Sequence, residues 1–129
     1  MSDEPLKVGP VWLELPPVPT MSRVARLTAT GVAALAGFSI DEIDNINVLV
    51  SEVMVALIEH GAESPISISF EVRDRAFAVR ATTQISDFDI HHPDLALCRT
   101  VLAAVSTSHG IEPTPAGAEI WATLQQPSP

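Results

Sequence analysis

The sequence predicts an α+β domain of two layers, a mostly antiparallel sheet with helices packed on one face. Three observations carry this expectation. Short runs alternate apolar and polar residues at VWLEL (11–15), ISISFEV (66–72) and FAVRATT (77–83), the pattern of strands with one covered face. A longer segment repeats apolar residues at helical spacing: Ile43, Ile46, Val50, Val53 and Leu57. The elements follow in the order β-α-α-β-β-α-β without internal repeat or linker, so 1–129 reads as a single domain with its core over about 11–125.

Each element has a local reason. VWLEL sets Val11, Leu13 and Leu15 against Trp12 and Glu14, and Pro16 and Pro17 stop it. Thr20 offers an N-cap to a helix over MSRVARLTATGVAALAGF (21–38), with Val24, Leu27, Val32 and Leu35 as its apolar positions and Gly37 as its C-cap. Ser39 and Glu42 form a capping box for the second helix, which Gly61 ends. RDRA (73–76) turns ISISFEV into FAVRATT as a hairpin. QISDFDIHHPD (84–94) reads as an irregular acidic loop, with Asp94 capping a third helix over LALCRTVLAAVSTS (95–108). HGIEPTPAG (109–117) breaks the chain, and AEIWATL (118–124) supplies the last strand. Residues 1–9 and 126–129 read as loose ends.

Composition excludes several classes. Apolar residues make up 47% of the 129, too many for a disordered chain. A formal charge of −9, with seven Lys and Arg, argues against nucleic acid and anionic membranes and suits a basic protein partner. One cysteine, Cys98, excludes an intrachain disulfide and a cysteine-based zinc site, and its apolar neighbours make it a buried small hydrophobe. No signal peptide precedes the domain and no apolar run reaches membrane-spanning length, so a cytoplasmic protein is expected. There is no Walker A motif, no dinucleotide fingerprint and no G-x-S-x-G elbow.

The stretch SEVMVALIEHG (51–61) carries the functional question. Glu52, Ala56 and His60 are spaced i, i+4, i+8 and share one helix face, separate from the apolar stripe. With the element order, the helix ending AGF and the acidic cap Asp41, Glu42 and Asp44 leading into VLVSE, this segment resembles the histidine-kinase-like ATPase superfamily. Within it the chain looks most like the small anti-sigma-factor serine kinases of bacteria, over about residues 11–125. Ser51, Glu52, Leu57, His60 and Gly61 occupy the family frame Ser-Glu-Ala-x-x-Asn-Ala-x-x-His-Gly, with Leu57 at an Ala position. The resemblance implies a nucleotide pocket at Glu52, Ala56, His60, Ala81, Thr82 and Asp87. It implies Glu52 as general base and, from the first helix with Arg23 and Arg26, contacts with a sigma factor, an anti-sigma-factor antagonist or a second copy of the chain.

Three departures weaken the catalytic half of that implication. The family's magnesium-bearing Asn is Ala56, and a methyl group cannot coordinate a cation that demands oxygen ligands. The adenine-reading Asp of the family's Asp-x-Gly-x-Gly is replaced by Ala81 or Thr82, with no Asp before Asp87. No glycine stands between Gly61 and Gly110, and Pro93 and Leu95 occupy the place of the phosphate-cradling glycines. Phosphoryl transfer rests on positioning and on charge neutralisation by the metal. The expectation is a regulatory binding protein of the anti-sigma type with impaired or lost kinase activity and no tightly bound cofactor. The alternative is an active ATP- and Mg²⁺-dependent serine kinase with Glu52 as general base and its metal and phosphate contacts supplied elsewhere, from Asp87 or Asp89.

Plainer readings stand beside these. Glu52 is also a solvated helix-flank acid, His60 a residue favoured at a helix C-terminus, and Arg23 and Arg26 an exposed face. Asp87, Asp89, His91, His92 and Asp94 fall within eight residues, so a 2-His-1-carboxylate metal site is conceivable. Adjacent histidines on an extended segment point apart, however, and an acidic loop is the simpler account. Trp12 and Trp121, on the first and last strands, either pack together or lie at an interface.

Overall fold

The computed structural model describes residues 7–85 and 87–127. Its elements are β1 (Val8–Leu15), α1 (Met21–Leu35), α2 (Ile40–His60), β2 (Ile66–Arg73), β3 (Ala76–Thr83), α3 (Leu95–Val105), β4 (Ser108–Thr114) and β5 (Gly117–Gln125). The strands form one sheet in the order β1-β2-β3-β5-β4, and every pairing is antiparallel. The helices cover one face, as the α+β expectation required.

Alternation decides which side chains face the helices. Ile66, Ile68, Phe70 and Val72 of β2, Phe77, Val79 and Ala81 of β3, and Ile120 and Ala122 of β5 are buried. Across from them α2 buries Ile46, Leu49, Val50, Val53, Met54 and Leu57, each completely. Such a side chain contributes about 1.5–3 kcal/mol relative to an exposed one, so α2 is the element that most firmly anchors the helix layer. Its start is a true capping box: Ser39 Oγ accepts from the Glu42 amide at 3.2 Å and Glu42 Oε1 accepts from the Ser39 amide at 2.7 Å. The β2–β3 hairpin turns through Asp74 and Arg75, both at positive φ (52° and 66°), the type I′ geometry that matches strand twist.

Several expectations are corrected. HGIEPTPAG does not break the chain: most of it is β4, pairing Ser108–Thr114 with β5. Its Pro113 is tolerated because β4 is an edge strand with one neighbour. The third helix stops at Val105, where the Thr107 amide turns to the Thr123 carbonyl at 2.7 Å and begins that ladder. Thr20 and Asp94 do not cap; both have helical backbone angles and make no side-chain cap bond. β1 starts at Val8, so residues 8 and 9 are strand, and Gln126 is tied by its amide to the Arg75 carbonyl at 2.8 Å. The remainder of the expected loose ends, 1–6 and 128–129, lies outside the described residues.

The apolar face of α1 is also not the expected one. Ala25, Ala29, Val32 and Ala33 are buried, whereas Leu27 (64% exposed) and Leu35 (72%) face outward and Val24 is partly so. Small residues let α1 lie close against α2, where Arg26 donates to Ser51 Oγ at 3.3 Å and Thr30 to Asn47 Oδ1 at 3.2 Å. Gly37, at φ 83°, ends α1 in a Schellman motif: its amide bonds the Ala34 carbonyl, and that of Phe38 bonds Ala33.

Trp12 and Trp121 do not pack together, because β2 and β3 lie between their strands. Both sit on the open face of the sheet, in a row Trp12–Ser69–Arg80–Trp121. Arg80 lies 5.6 Å over the Trp121 ring and bonds Glu119 at 2.6 Å.

Candidate functional site

The face that α2 turns away from the sheet does not reach open solvent along its whole length. Near its C-terminal end it meets the start of α3, and the two helices enclose a cavity of about 170 Å³. Glu52, Ala56, Glu59 and His60 of α2 form one wall; Asp94 and Cys98 belong to the other, with Val55 and Leu97 beside them. The spacing of Glu52, Ala56 and His60 therefore does what helical geometry says: one face, one hollow. Ala56 is 4% exposed, its methyl group set between a carboxylate and an imidazole.

The strand residues fare differently. Ala81 faces the helices and is fully buried. Thr82 does not face them: its register partners are Ser67 and Glu119, both on the open face, so its hydroxyl points away from the cavity. The residue sequence reasoning missed is Thr83, which turns inward, is 1% exposed, and has an Oγ1 without a hydrogen-bond partner among the described residues. It lies against the end of α2, where a Cβ on Gly61 would stand 3.3 Å from that Oγ1. Alternation from Phe77, Val79 and Ala81 was the signal that points to it. Asp87 is exposed on the 84–94 loop and does not line the cavity.

That loop is held by its own bonds. The His91 amide bonds Asp89 Oδ1 at 2.9 Å, the Asp94 amide bonds His92 Nδ1 at 3.1 Å, and Arg99 donates to the Ile90 carbonyl. At the start of α3 the Leu95 and Ala96 amides bond the His92 and Pro93 carbonyls, each at 3.0 Å, so both donors are already engaged within the chain. Of the two candidate partner-binding arginines, Arg23 is exposed and Arg26 is turned to Ser51 on α2.

A chain with this two-layer α+β fold has counterparts among known proteins. Serine-protein kinase RsbW of Listeria innocua is 26% identical over 84 residues, 62% of this chain and 54% of that protein. RsbW of Bacillus licheniformis is 28% identical over 85 residues, 63% and 53% respectively. Over these residues the chain is similar to the RsbW serine-protein kinases. It spans about half the length of these curated RsbW relatives. The RsbW-like fold extends further than the sequence match. The crystal structure of the RsbU and RsbW domains of a Mycobacterium tuberculosis protein superimposes with a TM-score of 0.73 at 15% identity, over 92% of this chain and 32% of that one. No protein-family model matches the chain. No helix among the described residues is long and apolar enough to cross a membrane.

The cavity wall also holds Cys98, 3% exposed, its Sγ 3.8 Å from the Glu52 carbonyl oxygen. Burial, with the Glu52 charge adding to it and Arg99 opposing, pushes the thiol from 9.0 up to about 11. The folded chain thus favours the protonated thiol. That contribution to stability is full below about pH 9, the unfolded value, and is lost as pH rises towards about 11. Native protein at about pH 8 should therefore react with a thiol-specific disulfide reagent far more slowly than unfolded protein. Cys98→Ala should flatten the alkaline fall in stability; an unchanged alkaline branch would contradict the assignment.

Proposed function

We propose that this chain is a regulatory binding protein of the anti-sigma type, holding a sigma factor or an anti-sigma-factor antagonist without phosphorylating it. The observation that carries the reading is Ala56, a methyl group at the centre of the one helix face that the family resemblance assigns to magnesium and nucleotide. The groups along the cavity do not fit a magnesium triphosphate. Ala56 supplies no oxygen ligand, the first amides of α3 are bonded to His92 and Pro93, and no glycine precedes that helix to admit a phosphate to the main chain. The cavity volume of about 170 Å³ is also below the roughly 300–1,000 Å³ of typical small-molecule sites.

A binding role needs a surface, and α1 offers one. Val24, Leu27 and Leu35 are apolar, outward-facing and adjacent to exposed Arg23. The net charge of −9 complements the basic faces of a DNA-binding partner. A second copy of the chain on the same helix is the other occupant that the family resemblance suggests.

The second reading is an active serine kinase acting on an antagonist protein, favoured by Glu52 in the cavity wall and by the Thr83 hydroxyl at the end of α2, which has no hydrogen-bond partner among the described residues. Thermal unfolding with millimolar ATP and Mg²⁺ separates the two. A ligand present at about 100 times its Kd stabilises by about 2.7 kcal/mol, which for a domain of this size raises Tm by more than about 5 °C. We expect no such rise, together with co-migration of the chain with a sigma factor or antagonist of its host on size exclusion. Leu27→Asp, an exposed change, should abolish that co-migration while leaving Tm unaltered. Nucleotide-dependent stabilisation and transfer of labelled phosphate to the partner would establish the kinase instead.

A further inference from the structure

His60 and His92 are 32 positions apart in sequence, yet their rings stack at the mouth of the cavity, with centroids 4.7 Å apart and planes inclined at 44°. Asp94 completes the group: its Oδ2 stands 3.8 Å from His92 Nδ1, and one ligand atom from each of the three residues falls within 4.8 Å of the others. We propose that His60, His92 and Asp94 form a binding site for one zinc-class divalent cation, which clamps the C-terminal end of α2 to the start of α3. This site is independent of the partner proposed above and differs in ligands from a magnesium–triphosphate site.

The chemistry of the donors selects the ion. Two imidazoles and a carboxylate suit Zn²⁺ and its first-row neighbours, whereas Mg²⁺ takes oxygen ligands. Bonds of about 2.0–2.1 Å in a tetrahedron put ligand atoms about 3.3 Å apart, so the Nδ1–Oδ2 pair needs to close by only about half an ångström. In the metal-free arrangement the His92 Nδ1 lone pair accepts the Asp94 amide; a cation drawn to that nitrogen and to the neighbouring carboxylate would take its place. Three protein ligands leave a fourth position for water, and it opens towards a cavity whose walls include Glu52 and Glu59. Two further acids lower the potential where a dication would enter. Cys98 is not a ligand in this scheme, because the ligand atoms that converge are those of His60, His92 and Asp94.

The clamp would act on the ring contact between His60 at the end of α2 and His92 of the 84–94 loop. Binding would fix the loop end bearing His92 against His60, and so set how far the cavity mouth opens.

The test uses the untagged 129-residue chain, stripped with chelator and titrated with zinc chloride by calorimetry and by thermal unfolding. One Zn²⁺ per chain should bind and raise Tm, while Mg²⁺ at the same concentration should not. His92→Ala and Asp94→Asn, changes on the exposed loop and at an exposed helix start, should weaken zinc binding by about tenfold or more and leave the metal-free Tm where it was. His91→Ala, one residue away and pointing to solvent, should bind as the parent does. Co²⁺ added to the unmodified chain should give the visible spectrum of a nitrogen-ligated, low-coordinate ion, a readout that needs no variant. The proposal is overturned by absence of a zinc-dependent shift, by equal zinc affinity in the parent and a His60→Ala, His92→Ala double variant, or by a Co²⁺ spectrum identical to the free aqueous ion.

Discussion

Phe77→Ala should destabilise the domain by about 3–5 kcal/mol, the cost of emptying a large, fully closed aromatic site. Phe77 is completely buried on β3, the middle strand of the sheet. Its ring meets Phe70 on β2 at 6.1 Å and, edge-on at 74°, Phe38 at 6.3 Å. Phe38 is the residue released by the Schellman turn at the end of α1, so Phe77 joins the exit of α1 to the centre of the sheet. Folded domains hold only about 5–15 kcal/mol in all, and the variant would forfeit a large part of that. With a urea slope of about 2 kcal/mol per molar, the unfolding midpoint should fall by about 2 M. A loss below about 1 kcal/mol would mean that the aromatic trio does not anchor the sheet as described.

Gly117→Ala should cost about 3 kcal/mol, the upper end for overpacking, because nothing near it can retreat. An added Cβ would stand 2.1 Å from the Thr83 carbonyl oxygen, 2.8 Å from the Ile85 nitrogen and 2.9 Å from the Ile85 oxygen, all main-chain atoms. Thr83 is held by its ladder partner Ala118, and Ile85 begins the loop that carries His92 and Asp94. The strain would therefore reach the cavity as well as the sheet, and zinc affinity should drop along with stability. Gly31→Ala is the matched contrast. Gly31 lies within α1 with open space around its would-be Cβ, so the same substitution should stabilise by up to about 1 kcal/mol through helix propensity. Equal effects at the two glycines, measured in parallel denaturant titrations, would refute the steric argument.

The candidate site was legible in part. The face of Glu52, Ala56 and His60 follows from helical periodicity, and the structure places all three on one cavity. Thr82 was misplaced by one residue, and in a strand one residue is the difference between the two faces of a sheet. His60 and His92 were each visible as single residues, but their stacking was not. A turn sequence says where a chain bends; it does not say where the bent loop comes to rest. On α1 the size of the side chains does not predict the buried face. Leu27 and Leu35 are larger than Ala25, Ala29 and Ala33, but close helix packing against α2 selected the small residues.

What the sequence alone determined is the set of features with a strong local signal: the capped stripe of α2, the alternating hairpin of β2 and β3, the two-layer class, and a helix face that carries a methyl group at position 56. Each depends on contacts a few residues apart, so period and composition suffice. Only the tertiary structure decided that Ser108–Thr114 runs as an edge strand, which face α1 buries, that Thr83 rather than Thr82 looks inward, and that His60, His92 and Asp94 converge. These depend on which surfaces meet across dozens of residues, and that is set by how the whole chain packs, not by any local pattern of residues.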